Sequence, residues 1–320
     1  MEELPDRVSI REVGPRDGFQ NEPEVIPTER KVELIDALAR TGLRRLEATS
    51  FVRADVIAQL ADAAEVLARI DVPEQVSVSV LIPNERGLDA ALELRERLAA
   101  DRTRGASGSR PAFDEVNVFM SASETHNREN VNRSIAQSLA GLEAVLARAR
   151  AAGLRCEAVI STSFGCPYEG RVPPRRVLEI AARLRDAGAE EIGFGDTTGM
   201  ANPLQVRELF ELAREQLGGA LQLTAHFHNT RGQGLANVLA ALEAGVDSFE
   251  SSFGELGGCP VPAGATGNVA TEDLVSMLHE MGIETGVDLE ALLACARRVQ
   301  EVLGRPLGSH TLVAGPVDWR

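Results

Sequence analysis

The sequence LQLTAHFHNTRGQGLAN, residues Leu221–Asn237, has the pattern of a strand, a Gly-rich turn and the start of a helix. Its first part alternates and is rich in strand-forming residues, so His226 and His228 fall two positions apart on one strand. Residues i and i+2 of a strand point to the same face, so the two imidazoles should reach one point. For this pair alone two readings stay open: ligands of a metal ion, or polar strand residues that face solvent.

The same strand-then-helix pattern recurs along the chain. Short apolar runs alternate with helix-period stretches at eight places: Val8–Gly14, Arg44–Phe51, Gln75–Asn84, Glu115–Ser123, Arg155–Gly165, Glu191–Gly199, Leu221–Asn229 and Asp247–Gly254. Such alternation requires parallel strands with helical crossovers, and eight units predict one closed (β/α)8 TIM barrel of the α/β class over residues 1–320. A doubly wound open sheet is the rival, but the regular repeat and the lack of a GxGxxG motif favour the barrel.

Three segments lie outside the regular repeat. Asp101–Phe113 is polar, Gly/Ser-rich and precedes a strand, which predicts a solvated loop on the N-terminal face of the barrel. Glu255–Ala270 follows the eighth strand and is rich in glycine, which predicts a mobile loop on the C-terminal face, where barrel enzymes carry their active sites. Leu289–Leu303 predicts an extra helix packed outside the barrel.

Composition limits the possible partners and compartment. The 320 residues carry a net charge of −15 and no basic run, which argues against nucleic acid, and an anionic substrate would have to be met by local arginines. No run of 18 apolar residues occurs, and the acidic N-terminus lacks signal or transit features, so we expect a cytoplasmic protein without membrane association. The four cysteines form no CxxC pair, which makes a disulfide framework improbable in a chain of this size.

Polar residues gather just after the predicted strands, where the active sites of TIM barrels lie. Asp17, His226, His228 and Asn268 fall at such places. Their two oxygen and two nitrogen donors suit an octahedral Mg²⁺ or Mn²⁺ with two positions open to water or substrate. Arg16, next to this centre, is placed to stabilise an enolate oxygen as it forms. The competing readings are that Asp17 only caps a turn and that Arg16 is a surface charge.

Three further residues are candidates on the same face. Glu47 lies within a predicted strand, and an inward carboxylate needs a partner, which we expect to be a ligand or Arg16. Asp196, in GDTTG, is read equally well as a cap that binds backbone amides. Cys259 lies in the Gly-rich loop of the catalytic face, an unusual place for an inert thiol.

Several motifs together resemble the 3-hydroxy-3-methylglutaryl-CoA lyase family, a branch of the metal-dependent TIM-barrel lyases. The resemblance covers about Val8 to Leu303 and rests on EVGPRDGFQNE (Glu12–Glu22), EATSFV (Glu47–Val52), GCPYEG around Cys166, GDTTG, HFHNTRGQGLAN and GGCPVPAGATGNVATEDLV (Gly257–Val275). As a set these motifs are highly specific, whereas the HxH pair alone would not be.

The resemblance implies a retro-aldol cleavage of a 3-hydroxy-3-methylglutaryl thioester to acetoacetate and acetyl-CoA, with Mg²⁺ or Mn²⁺ as cofactor and a homodimer as the assembly. The family's metal positions correspond to Asp17, His226, His228 and Asn268. Its catalytic positions correspond to Arg16, Cys259, His226, Glu47 and Asp196. The resemblance assigns enolate stabilisation to Arg16, proton chemistry to Cys259 and His226, and support to the two carboxylates.

The sequence also departs from the family at positions around the substrate. Pro23 stands where the family often has a lysine implicated in holding CoA, and Asn229, Arg231 and Val261 replace other common residues. The metal ligands and the cysteine are intact, so these departures bear on the acyl group and the CoA handle. Gln20, Tyr168 and Arg231 are the candidate substrate contacts.

Other functions stay open at this point. One keeps the chemistry on another 3-hydroxyacyl-CoA, such as a citramalyl-type or longer 3-alkyl analogue. A Claisen-condensing synthase is disfavoured because those enzymes generally carry extra C-terminal regions. A metal-dependent amidohydrolase would place HxH on the first strand and need histidines on later strands. A binding or scaffold protein on a decayed barrel would not be expected to keep the metal ligands, Arg16 and Cys259 together.

Overall fold

The computed structural model describes residues 4–103, 111–258 and 266–319. The predicted barrel is confirmed: eight parallel strands close on themselves, and the first strand pairs with both the second and the eighth. The strands are β1 (Ser9–Glu12), β2 (Arg45–Ser50), β3 (Ser77–Leu81), β4 (Glu115–Ser121), β5 (Arg155–Ser161), β6 (Glu191–Asp196), β7 (Gln222–Phe227) and β8 (Ser248–Ser251). Each observed strand lies within the predicted run.

Helices follow the strands and cover the barrel. They are α1 (Thr28–Leu38), α2 (Ala63–Arg69), α3 (Glu85–Thr103), α4 (Glu124–Val131), α5 (Ile135–Ala151), α6 (Pro174–Asp186), α7 (Pro203–Leu217), α8 (Gly234–Glu243), α9 (Thr271–Glu280), α10 (Leu289–Leu303) and α11 (His310–Ala314). The predicted outer helix is α10, with the predicted bounds. No helix in the described ranges is long and apolar enough to cross a membrane.

The predicted polar loop at Asp101–Phe113 was wrong at its start. Helix α3 continues through Thr103. The apolar residues from Leu94 onward keep a helical spacing, and Ala99 and Ala100 favour a helix, before the glycines begin. Residues 104–110 of that loop lie outside the described part of the chain. The prediction of a single domain over residues 1–320 stays a prediction.

The barrel interior is polar, and its lower layer is charged. On β4 the outward residues Val116 and Val118 join the hydrophobic core, whereas Glu115 and Asn117 are buried and polar. Arg11 of β1 lies 3.0 Å from Glu115 and 3.4 Å from Glu250 of β8. Because a buried charge without a partner is costly, this layer holds its strands in a fixed register beneath the C-terminal face.

Candidate metal centre and active site

The two histidines meet at the C-terminal end of β7. His226 is in the strand, and His228 lies just past it, where it forms an isolated bridge with Asn268. Their Nε2 atoms are 3.1 Å apart, and both side chains are buried. The backbone bridge draws the far end of the loop after β8 onto the end of β7. His226, His228 and Asn268 are thereby brought together.

Asp17 reaches the same point from a tight helical turn, Gly14–Gly18, that follows β1. One ligand atom from each of Asp17, His226 and His228 lies within 4.8 Å of the others, which makes these residues a possible metal site. The amide of Asn268 donates to Asp17 Oδ2 at 2.7 Å and to the Leu256 carbonyl at 2.9 Å.

The donor atoms that remain fit a divalent cation. Asn268 Oδ1 is buried and has no hydrogen-bond partner among the described residues, and the same holds for His228 Nδ1. Burial and the neighbouring His226 lower the pKa of His228 to about 3, which keeps its imidazole neutral. One carboxylate, two imidazoles and an unpaired amide oxygen form a mixed donor set that suits Mg²⁺ or Mn²⁺.

Arg16 is a buried residue, so the surface-charge reading does not hold. Its Nε donates to Glu47 Oε2 of β2 at 2.5 Å, and its Nη1 donates to Asp17 Oδ1 at 2.7 Å. Burial opposes the positive charge, but the Glu47 and Asp17 carboxylates outweigh it and raise the pKa of Arg16. The guanidinium is therefore a permanent cation beside the donor set.

A functional residue that the sequence did not reveal is Glu250 of β8. Its Oε2 lies 2.9 Å from His226 Nδ1, which leaves Nε2 of that ring for the metal side. Burial works against a charged His226, but the Glu250 carboxylate outweighs it and raises the histidine's pKa. Alternation in the run DSFESSFG, with the acidic Glu250 in the middle of the strand, is the signal that could have found it.

Asp196, at the end of β6, combines both readings. Its Oδ1 accepts the backbone amides of Met200 at 2.8 Å and Ala201 at 3.0 Å, as a capping residue does. Its Oδ2 is buried without a hydrogen-bond partner in the part of the chain that is described. Burial raises the pKa of this carboxyl to about 7, so it can exchange a proton near neutrality.

The three candidate substrate contacts differ in how far they are engaged. Arg231 is exposed, and its Nη1 already donates to the carbonyls of Thr198 and Gly199 at 2.9 and 2.7 Å. Tyr168 is half exposed, with its ring 6.3 Å from that of His126. Gln20 is half-buried.

The Gly-rich loop after β8 is described only at its two ends. Cys259 and Val261 lie outside the described residues, and so does the predicted mobility of the middle of the loop. The ends are anchored: the Gly258 carbonyl accepts the Asn21 side-chain amide at 2.7 Å, and Asn268 is fully buried. The loop therefore starts beside the turn after β1 and returns at the donor set.

Comparison with known proteins adds the family. The HMGL-like family matches residues 7–299. The chain is 46% identical to the hydroxymethylglutaryl-CoA lyase YngG of Bacillus subtilis over 308 residues, covering 96% of this chain and 97% of that one. It is 43% identical to a 3-hydroxy-3-methylglutaryl-CoA lyase, named as cytoplasmic, of Danio rerio, over 97% of this chain and 87% of that one.

A solved structure agrees with these relatives. The HMG-CoA lyase of Acinetobacter baumannii, in complex with coenzyme A and 3-methylmalate, superposes with a TM-score of 0.89 at 38% identity, covering 100% of this chain and 99% of that one. The resemblance read from the motifs is therefore confirmed over nearly the whole chain. The three relatives compared above are named as hydroxymethylglutaryl-CoA lyases, and this protein belongs to the same HMGL-like family.

Proposed function

We propose that this protein is a carbon–carbon lyase that cleaves 3-hydroxy-3-methylglutaryl-CoA to acetoacetate and acetyl-CoA with a divalent cation, Mg²⁺ or Mn²⁺. The observation that carries the proposal is the meeting of Asp17, His226 and His228 beside the Arg16 guanidinium. Relatives at 46% and 43% identity are named as lyases of this substrate, and a further relative was crystallised with coenzyme A, which supports an acyl-CoA substrate.

The metal would be held by Asp17, His226, His228 and Asn268, whose donor chemistry fits it. When bound, the cation supplies a Lewis acid that lowers the pKa of the substrate's tertiary hydroxyl and orients it. Glu250 holds His226 through Nδ1 and so fixes the orientation of this imidazole as a ligand through Nε2. Because neither ring nitrogen is then free, we assign removal of the hydroxyl proton to Asp196, whose carboxyl has a pKa of about 7 and a buried oxygen without a hydrogen-bond partner among the described residues. As the proton leaves, the bond between C2 and C3 of the acyl group breaks, with C3 becoming the ketone of acetoacetate.

The electron pair of the broken bond passes to the thioester and forms the enolate of acetyl-CoA. Arg16 is a buried, permanent cation, and Glu47 and Asp17 hold it on two sides, so it can stabilise the enolate oxygen with little reorganisation. A proton must then reach the enolate carbon, and we assign its delivery to Cys259 on the loop after β8.

The test starts from protein dialysed against a chelator. We expect no cleavage of 3-hydroxy-3-methylglutaryl-CoA until Mg²⁺ or Mn²⁺ is added, and equal amounts of acetyl-CoA and acetoacetate afterwards. Full turnover without a divalent ion would contradict the metal's role. A panel with citramalyl-CoA and longer 3-alkyl-3-hydroxyglutaryl thioesters tests the substrate, and a higher kcat/KM for any of these would assign the chemistry to that thioester.

We further propose a cytoplasmic homodimer. The cytoplasmic location is supported by the Danio rerio relative that carries this location in its name, and the dimer by the family resemblance. Light scattering on the purified protein tests the dimer, with a mass near twice 34.3 kDa as the expected result. A mass near the monomer's would contradict it.

A further inference from the structure

Asn117 of β4 has no part in the chemistry described so far, although it lies inside the barrel beside the site. Its side chain is 1% exposed. It occupies a position of β4 that faces the barrel interior, whereas its neighbours Val116 and Val118 pack in the hydrophobic core on the outer side of the barrel. A buried amide in this layer must be explained by what it contacts.

The contact is with Glu47. Asn117 Nδ2 donates to Glu47 Oε1 at 3.1 Å, and the other oxygen of the same carboxylate accepts Arg16 Nε at 2.5 Å. Arg16 Nη1 continues the chain to Asp17 Oδ1 at 2.7 Å. Side chains from β4, β2 and the turn after β1 thus form one chain of hydrogen bonds. It runs from the Asn117 amide through the Glu47 carboxylate and the Arg16 guanidinium to the Asp17 carboxylate of the metal centre.

The orientation of the amide is set by Glu47. A carboxylate only accepts hydrogen bonds, so the nitrogen of Asn117 must face it and the oxygen must face away. That oxygen, Oδ1, is buried and has no hydrogen-bond partner among the described residues. The amide therefore gives up its acceptor in order to donate to Glu47, which a side chain serving only to fill the core would not do.

This chain of hydrogen bonds determines which N–H groups of Arg16 remain free to contact a substrate. Glu47 takes Nε and Asp17 takes Nη1, whereas Nη2 makes no hydrogen bond within the described ranges. Turning the Glu47 carboxylate would turn the planar guanidinium with it, because the two are joined at Nε. In the described residues, Asn117 is the group that fixes the second oxygen of Glu47 and thereby prevents that rotation.

Resting on the proposed function, we propose that Asn117 is a positioning residue: it holds Glu47 so that Arg16 presents Nη2 to the enolate oxygen formed during cleavage. The charged groups that act on Glu47 are Arg16 and Arg11, which favour its carboxylate form, and Glu250, which opposes it. Burial and the Glu250 charge both disfavour the carboxylate form of Glu47, and the Asn117 donor counteracts them. Without that donor, Glu47 takes up a proton at higher pH and holds Arg16 less firmly.

The experiment compares Asn117→Leu, which has a similar volume and no donor, with Asn117→Asp. Asn117→Leu should lower kcat on the order of ten- to hundredfold, as loss of a hydrogen bond to a charged group predicts, with KM within about threefold. The acid limb of its kcat/KM profile should move to higher pH. Its Mn²⁺ affinity, measured by isothermal titration calorimetry, should stay within about twofold of wild type, because Asn117 does not contact a metal ligand.

Asn117→Asp gives an independent reading, because a protonated aspartic acid can still donate to Glu47. Its activity should therefore be highest at the acid end of the profile and fall as pH rises, relative to wild type. The matched control is Ser79→Ala, a buried hydroxyl on β3 whose Oγ donates to the Leu46 carbonyl at 3.3 Å, and it should keep kcat within about twofold.

The outcomes separate this inference from the proposed function. A wild-type protein that cleaves no 3-hydroxyacyl-CoA with metal present would sink the function itself. If wild type cleaves, an Asn117→Leu variant with unchanged kcat and pH profile overturns the positioning role, and so does a variant that loses Mn²⁺ in parallel with activity. If Asn117→Leu does not fold, an Asn117→Asp profile parallel to that of wild type overturns it.

Discussion

Replacing Glu250 with glutamine should weaken metal binding although Glu250 is not itself a ligand. The Glu250 carboxylate is 3% exposed and lies 2.9 Å from His226 Nδ1, so it fixes the ring and its tautomer by a charge-assisted hydrogen bond. Mutation of a hydrogen-bond partner of a metal-binding histidine typically lowers metal affinity by about 10- to 100-fold. Glutamine keeps an acceptor for Nδ1–H but removes the charge, so we expect a Mn²⁺ dissociation constant about tenfold higher.

Alanine at position 250 should cost more, roughly 100-fold, because it leaves a buried imidazole nitrogen without a partner. The assay is a Mn²⁺ titration followed by electron paramagnetic resonance on chelator-treated protein. Glu243→Gln is the matched control, since Glu243 lies on α8 and pairs at the surface with Arg207. If both Glu250 variants bound Mn²⁺ within twofold of wild type, the assignment of Glu250 to His226 would be refuted.

Three other variants test separate parts of the account. Burial raises the pKa of Glu12 from 4.5 to about 8, so folding takes up a proton between these pH values and the stability of the protein falls as pH rises. Glu12→Gln should therefore be more stable than wild type at pH 8, by roughly 4 kcal/mol at most, and should lose this advantage towards pH 5. Equal differences in Tm at both pH values would contradict this prediction. Gly257 has φ +94°, and a Cβ there would lie 2.5 Å from Asn268 Nδ2 and 2.9 Å from Asp17 Oδ2, so Gly257→Ala should weaken Mn²⁺ binding at least about tenfold, and unaltered affinity would count against the donor set. Cys259→Ala should lower kcat by about 10²–10⁴-fold with the Mn²⁺ affinity of wild type, and near-normal turnover would remove the thiol from the chemistry.

The fold could be predicted from the sequence because every step was local. Each apolar run, such as Leu221–Phe227, signals a strand by alternation, and the helix that follows requires a parallel crossover. Eight repeats then leave a closed barrel as the simplest arrangement. The end of α3 differs from the prediction because the polar segment from Asp101 onward has the composition of a loop, although the helix formed by the preceding residues continues to Thr103.

Part of the site was also accessible, because a barrel collects the C-terminal ends of its strands at one face. His226 lies near the C-terminal end of its strand, and Asp17, His228 and Asn268 follow strands, so the barrel topology predicts that the four residues lie close together. The sequence could not give the pairing inside the barrel. Which residue faces Glu250 or Asn117 depends on the register of strands far apart in the chain.

The position of a bound ion shows whether Asp17, His226, His228 and Asn268 are the metal ligands. An anomalous difference map of a crystal soaked in Mn²⁺ should show one peak within bonding distance of Asp17, His226, His228 and Asn268, and the same ion should restore cleavage to chelator-treated protein. A map without a peak among these four side chains, from protein that still cleaves 3-hydroxy-3-methylglutaryl-CoA, would contradict the account.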